Sequence, residues 1–404
     1  MAVDASSASP TDRAIATAQA RLAAAPRDSQ GLLDLARAFL QKVRETGDPT
    51  LYSKAGGILH DLARRTPDDL GVLVTQGTLD LALHRFGEAR RVGRRAVRLF
   101  PDSPEARGVL VDADNELGLY AEAGAQTQAM ADLRPDLASL SRASYARELR
   151  GDLPGAIQAM SAAVEAGGGG GGENVAYVQA QLGTLLLTSG DTSGAEAAYA
   201  SAERSFPGFA SARAGRAAVL VARGQPGQAA DALEGVVRDQ PLALYAIARG
   251  DDLAAARRPS EAADAYALVR VLERLFAANG VDVDLELALF DADHGGGPGA
   301  LARARRGERA RPSAFGHDVL AWALYRTGRL DEAARESDRA LSLGSRDPLL
   351  NFHAAAISAA RGDRAEAASR LGVVLAANPR MSAGSAADVA ALAGRLGLPL
   401  PGPR

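Results

Sequence analysis

The segment AYVQAQLGTLLLTSGDTSGAEAAYASAERSFP, residues 176–207, contains the pattern that decides the fold. Small residues interrupt its apolar stretches at Gly183 and Ala195, Gly190 lies near its middle, and Pro207 ends it. Alanine has the highest helix propensity, glycine ends a helix cheaply in the left-handed conformation, and proline cannot continue one. The segment therefore predicts two helices joined by a turn at Gly190, with small residues where the helices cross.

The same spacing runs through most of the chain. Prolines lie 34 residues apart at positions 67, 101 and 135, and again at 207 and 241, and small insertions separate the remaining repeats. An alanine lies twelve residues before each repeat proline: Ala55, Ala89, Ala123, Ala195, Ala229, Ala300 and Ala367. A helix pair of this length cannot bury its apolar stripe alone, so a fixed period predicts units that stack on their neighbours.

These residues resemble the tetratricopeptide repeat family, in its bacterial form with many repeats, through Leu182, Gly183, Leu186, Gly190, Ala195, Tyr199, Ala202 and Pro207. The resemblance implies an all-α, right-handed superhelical solenoid of about nine or ten units with a cap helix at each end. It divides the chain into a disordered start and N-terminal cap helix (1–28), N-terminal repeats (29–166), a glycine-rich loop or hinge (167–172), C-terminal repeats (173–381), and a C-terminal cap helix and tail (382–404).

Composition excludes several kinds of function. The 404 residues include no cysteine, which removes disulfides, thiolate metal sites and cysteine nucleophiles. The net charge of −3 and the 4% aromatic content favour neither phosphate binding nor base stacking, so no nucleic-acid partner is predicted. No apolar stretch is long enough for membrane insertion, and the first ten residues lack a secretion signal, so we expect a cytoplasmic protein. No catalytic residue, metal ligand or cofactor is predicted, and the oligomeric state stays open.

The predicted function is binding a protein or peptide segment in the concave groove, as scaffold or adaptor. Family geometry implies that the first helix of each unit lines that groove. Because acidic residues dominate its middle, we expect a basic or apolar ligand. Trp322 and its aromatic neighbours are hot-spot residue types, although the alternative that Trp322 packs in the core stays open. The predicted groove residues are Tyr145, Glu148, Tyr177, Thr184, Asp251, Asp282, Glu286, Phe315, Asp318, Trp322, Tyr325, Arg326 and Phe352.

Two alternatives depend on departures from the repeat. Six glycines from Gly167 to Gly172 predict a flexible loop, which suggests a regulatory protein or small-molecule sensor whose halves move about it. The acidic stretch from Asp282 to His294 suggests a metal-binding protein or an enzyme, but it does not match the spacing of a calcium-binding loop. The repeat register predicts a solvated acidic helix there.

Overall fold

The computed structural model describes residues 9–168 and 171–402, and all the regular elements within those ranges are α-helices. In chain order they are α1 (Pro10–Ala24), α2 (Ser29–Thr46), α3 (Thr50–Arg65), α4 (Leu70–Ala82), α5 (Phe86–Leu99), α6 (Pro104–Glu116), α7 (Tyr120–Leu133), α8 (Leu137–Glu148), α9 (Leu153–Ala166), α10 (Glu173–Thr188), α11 (Thr192–Ser205), α12 (Ala210–Ala222), α13 (Pro226–Asp239), α14 (Ala243–Ala255), α15 (Pro259–Ala278), α16 (Asp284–Asp293), α17 (Pro298–Ala310), α18 (Ala314–Arg326), α19 (Leu330–Ala340), α20 (Pro348–Ala360), α21 (Arg364–Ala376) and α22 (Ala383–Leu396).

The predicted helix pairs are confirmed. The segment 176–207 forms α10 and α11, and Gly190 between them has a φ of 87°. The predicted first and last helices are α1 and α22, and the acidic stretch forms α16. Two turns have a residue other than glycine in the left-handed conformation. His84 and Arg257 have φ angles of 58° and 62°, which are uncommon for residues with a side chain.

The small residues of the repeat lie in the core, as the sequence predicts. The seven alanines that precede the repeat prolines by twelve residues are each at most 4% exposed. A close helix crossing leaves no room for a larger side chain at such a position, so alanine is a packing requirement here as well as a helix former.

Tyr199 is the clearest example of this packing. Its ring is buried between two consecutive first helices, over Gly183 of α10 and Gly215 of α12. A Cβ atom on Gly215 would lie 2.2 Å from the ring, and one on Gly183 would lie 2.7 Å from it. The Tyr199 hydroxyl is hydrogen-bonded to Thr184 Oγ1 at 3.1 Å, which fixes the ring between the two glycines.

Replacing Gly215 with alanine is therefore expected to lower the free energy of unfolding by about 1–3 kcal/mol, because the added methyl group overpacks the site. Alanine is intrinsically the better helix former by about 1 kcal/mol, so the matched control is Gly372→Ala in α21. No atom lies within 4 Å of a Cβ at position 372, and that variant should gain stability. Urea denaturation followed by circular dichroism measures both, and two changes of the same sign would contradict the packing argument.

The chain forms two compact units. The first contains the described residues up to Leu133 together with Arg274–Asp282, and the second contains Arg134–Glu273 and the described residues from Val283. The glycine run lies in the second unit between α9 and α10, with residues 169–170 outside the described part. A hinge at this run stays a prediction.

The C-terminal helices of the second unit pack against helices from earlier in the same unit. Its last helix, α22, contacts α14 as well as α21, and Ala383 packs against the cluster that contains Tyr245. Near the start of the same unit, the backbone of Gly151 lies so close to Gly344 that a Cβ would be 2.3 Å from the Gly344 carbonyl oxygen. C-terminal segments of this unit therefore reach its inner face, where the first helices of earlier repeats lie.

Candidate binding cavity

The inner face of the second unit encloses a cavity of ≈ 600 Å³. The first helices α10, α12, α14 and α16 form most of its wall, and the segments 347–349 and 378–382 form the rest. Its apolar lining comes from Leu187, Ala214, Ala218, Leu244, Ile247, Leu289, Phe290, Pro348, Leu349 and Met381, and its polar lining includes Thr184, Ser211 and Asn378.

Four carboxylates line this cavity, and its lining residues include no lysine, arginine or histidine. They are Asp251, Glu286, Asp293 and Asp347. Groups behind the wall hold them in position: Tyr266 Oη donates to Asp251 Oδ1 at 2.9 Å, and Trp322 Nε1 donates to Asp293 Oδ1 at 2.7 Å.

The remaining two carboxylates are also held. Glu286 is paired with Arg311 at 2.8 Å, so its charge is partly neutralised. Asp347 caps α20, because its Oδ1 accepts from the backbone N–H groups of Leu349 and Leu350 at 2.8 and 3.0 Å. Carboxylates fixed in this way are preorganised, so a cation that enters the cavity meets oxygens that need not rearrange.

Burial raises the pKa of several carboxyl groups in and behind the cavity. It raises the pKa of Asp293 and of Asp347 above the ordinary range. Burial and the neighbouring Asp251 charge raise the pKa of Asp252 to about 8, and burial with the Asp347 charge raises the pKa of Glu148 to about 7. Low-dielectric surroundings disfavour a charged carboxylate, so these groups gain their charge at higher pH than free carboxyls do.

The cavity brings together only part of the predicted groove. Thr184, Asp251 and Glu286 line it, and Glu148 lies close enough to Asp347 for the two carboxyls to interact. Tyr145 and Tyr177 are exposed by 42% and 47% and are not among its lining residues. Asp282 belongs to the first unit.

The predicted aromatic surface around Trp322 is part of the core. Trp322, Phe352 and Asp318 are 4%, 3% and 0% exposed, so they are not on a surface that a ligand reaches. The predicted residues Phe315 and Tyr325 pack against the same cluster at partial burial. The physical reason is that these side chains pack on one another. Trp322 stacks on Tyr325 and on His353, with ring centroids 4.9 and 4.1 Å apart, and the Arg326 guanidinium lies over the indole at 5.9 Å.

The acidic stretch from Asp282 to His294 is largely paired within the protein. Asp284 and Asp291 both lie near Arg303, at 3.7 and 3.3 Å, and Asp291 is also paired with Arg270. His294 Nε2 lies 2.9 Å from Asp251 Oδ1, and its Nδ1 lies 2.8 Å from the Phe290 carbonyl oxygen. Within residues 9–168 and 171–402, no group of three or more histidine or acidic side chains has the geometry of a metal site.

Several cavity residues were absent from the sequence-based prediction. Leu244 is 58% exposed, and it belongs to the lining together with Tyr245 and Asp347. The signal for Asp347 is its position directly before Pro348, which marks a helix start and not a groove position. Segments 347–349 and 378–382 reach the cavity because the C-terminal part of the second unit packs back against its earlier helices. No local sequence pattern predicts such a long-range contact.

A family model described as tetratricopeptide repeat matches residues 74–138 and 181–243, which include the α10–α11 segment. These two segments are tetratricopeptide repeats, and the other helix pairs continue the same all-α repeat fold. Among solved structures, human IFIT1 in a dimer with m7Gppp-AAAA is 13% identical, with 82% of this chain and 76% of that one covered at a TM-score of 0.51. This similarity concerns the fold alone.

Two bacterial structures are also similar to parts of the chain. A thermophilic tetratricopeptide repeat protein of Thermus thermophilus is 19% identical, covering 48% of this chain and 99% of that one at a TM-score of 0.42. One from Parabacteroides merdae is 17% identical, covering 62% and 98% at 0.42. No curated protein matches the chain. In the described ranges, none of the helices combines the length and apolar character needed to cross a bilayer.

Proposed function

We propose that this tetratricopeptide repeat protein is a scaffold or adaptor whose second unit binds a basic segment of a partner protein. Repeats of this family generally mediate protein–protein interaction and are generally not enzymes. The observation that supports the ligand class is the set of four carboxylates in a cavity whose lining residues include no basic side chain. A lysine or arginine side chain that enters the cavity pairs with these carboxylates.

The size and polarity of the cavity suit a side chain with its neighbours. A volume of ≈ 600 Å³ lies within the range of ligand sites, and it exceeds what one basic side chain fills. Leu244, Leu289 and Met381 provide apolar wall beside the carboxylates, so an apolar residue next to the basic one gains contact area. We therefore propose a segment that alternates basic and apolar residues.

The double variant Asp251→Asn/Asp293→Asn tests this proposal. Each amide keeps the size of the carboxyl and an oxygen that accepts a hydrogen bond, but the pair removes two negative charges from the cavity. We expect the affinity for a fluorescein-labelled peptide of lysine and leucine to fall by at least about tenfold, as for loss of close charge pairs at an interface. Fluorescence anisotropy with the full chain measures the dissociation constant.

The matched control is Glu165→Gln/Asp338→Asn, which removes two exposed charges from α9 and α19. It should leave the affinity unchanged.

Because the pKa values of Asp293 and Asp347 are raised, the wild-type affinity should increase from about pH 5 to about pH 8 as these groups lose their protons. Equal affinity of the two double variants for the lysine–leucine peptide, or a wild-type affinity that does not change over this pH range, would refute the proposal.

A further inference from the structure

Helix α5 in the first unit has an unusual concentration of arginine. Its sequence, FGEARRVGRRAVRL, contains five arginines and one acidic residue, Glu88. Arg91, Arg94 and Arg98 are spaced three and four residues apart, so they share one face, and all three are exposed. We call this face the α5 arginine surface.

These three arginines are unpaired within the part of the chain that the structure describes. None of them has an ion pair or a hydrogen bond to a described residue, whereas Arg90 is paired with the buried Asp114 and Arg95 with Asp68. Like charges at this spacing repel one another and destabilise the helix. Burial raises the pKa values of Asp80 and Asp114, and Arg91 and Arg94 offset part of that rise only from longer range. The three guanidinium groups therefore keep their hydrogen-bond donors available to a ligand.

Several partly or fully exposed arginines elsewhere in the described residues form ion pairs. Arg64 and Arg65 are paired with Asp61, Arg258 with Asp231 and Glu261, Arg329 with Glu332, and Arg370 with Glu366. In most of these pairs the sequence places a carboxylate three or four residues from the arginine. Single exposed arginines without such a partner also occur on α11, α15 and α17, at Arg204, Arg274 and Arg309. What distinguishes α5 is that three of them share one helix face.

A cleft of ≈ 540 Å³ lies beside the α5 arginine surface. Arg91, Arg94 and Arg98 line it together with Arg90, whose charge Asp114 neutralises, with the apolar side chains of Val97 and Leu110, and with Gln126 of α7. Gln126 Oε1 accepts from Arg107 Nη1 at 2.6 Å, which leaves the Gln126 amide NH₂ as a further donor. The cleft therefore combines three cations, an amide donor and an apolar floor.

We infer that the α5 arginine surface binds an acidic peptide segment of a partner protein. Three arginines over two helical turns extend about 10 Å, the length of about three residues of extended peptide. The apolar floor suits a leucine or valine among the acidic residues. The lining residues include no aromatic ring on which a base stacks, which favours a peptide over single-stranded nucleic acid.

This binding surface is independent of the cavity in the second unit, because it lies on the other unit and has the opposite charge. It also lies on the second helix of its repeat, whereas the cavity carboxylates Asp251, Glu286 and Asp293 lie on first helices. A protein with both surfaces binds a basic segment with one unit and an acidic segment with the other, which is the arrangement an adaptor requires.

The test uses the full chain and a fluorescein-labelled peptide of glutamate and leucine. The variant Arg91→Gln/Arg94→Gln/Arg98→Gln is expected to weaken binding by at least about tenfold and to flatten its salt dependence. The control Arg204→Gln/Arg274→Gln/Arg309→Gln removes three exposed arginines from three other helices and should leave binding unchanged. Circular dichroism should find the α5 variant folded with the helical content of wild type, so that a loss of binding is not a loss of folding.

Three results would overturn the inference. Wild-type protein that does not bind the acidic peptide excludes the surface as a peptide site. Equal loss of binding in the α5 variant and its control means that general charge is responsible. Tighter binding of an oligothymidine than of the peptide, lost in the α5 variant, identifies nucleic acid as the ligand instead.

Discussion

Replacing His353 with alanine is expected to lower the free energy of unfolding by about 3–5 kcal/mol, the cost of breaking a buried ion pair by removing one partner. His353 is 1% exposed, and its Nδ1 lies 2.8 Å from Asp318 Oδ2. Asp318 Oδ1 is also buried and has no hydrogen-bond partner among the described residues. Without the imidazole, the Asp318 carboxyl is left buried and unpaired.

The loss should depend on pH in a defined direction. Burial by itself lowers the pKa of His353, but the carboxylates of Asp318, Asp293 and Asp347 outweigh it and raise that pKa above the ordinary value. A raised histidine pKa contributes stability that is complete below the unfolded value of about 6.5 and is lost as pH rises through the folded value. The difference between wild type and His353→Ala should therefore be largest near about pH 6 and smaller at about pH 9.

Guanidinium denaturation of wild type, His353→Ala, Asp318→Asn and the double variant measures this effect as a cycle at both pH values. The sum of the two single losses should exceed the loss in the double variant, because the two residues form one unit. Additive losses, or a difference that grows toward the higher pH, would contradict a protonated, paired His353.

Replacing Trp322 with alanine is expected to cost about 3–5 kcal/mol, as for a large ring removed from a packed core. The indole is 4% exposed, packs against Tyr325, Phe352 and His353, and donates to Asp293 at 2.7 Å. We therefore expect Trp322 to position a cavity carboxylate from behind the wall without contacting a ligand.

Trp322→Phe separates the two roles. Phenylalanine keeps most of the packing but cannot donate to Asp293, so stability should fall by less than for alanine while affinity for the lysine–leucine peptide falls several-fold. Denaturation and anisotropy on the same preparations give both quantities. A Trp322→Ala variant as stable as wild type would contradict the core placement, and unchanged peptide affinity in Trp322→Phe would contradict the positioning role.

Most of the fold can be predicted from the sequence because each repeat packs two helices in the same way. The prolines and the alanines twelve residues before them report helix ends and crossings directly, since those positions tolerate few residue types. Gly190 illustrates the same point at a turn, where its positive φ is required locally. Such requirements concern one repeat and the repeats next to it, so they appear in the sequence as a periodic pattern.

The cavity could be predicted only in part, because it depends on contacts between distant repeats. The groove prediction treats all first helices as equivalent and their inner face as open. On that basis Asp251 and Glu286 face the groove, and both line the cavity. The return of segments 347–349 and 378–382 to that face lies outside any repeat register. The orientation of Trp322 depends on a rotation of one residue along α18, which periodicity does not resolve. The net charge of −3 describes the chain as a whole and does not report the local concentration of arginine in α5.

Trp322 is the single tryptophan of the chain, and its ring is parallel to that of His353 within 12°. An imidazolium cation in contact with an indole quenches its fluorescence by electron transfer from the excited state, whereas neutral imidazole does so weakly. We therefore expect the indole emission to report the charge of His353 in the folded chain and the loss of the ring contact on unfolding. No label is needed to observe the second unit separately from the first.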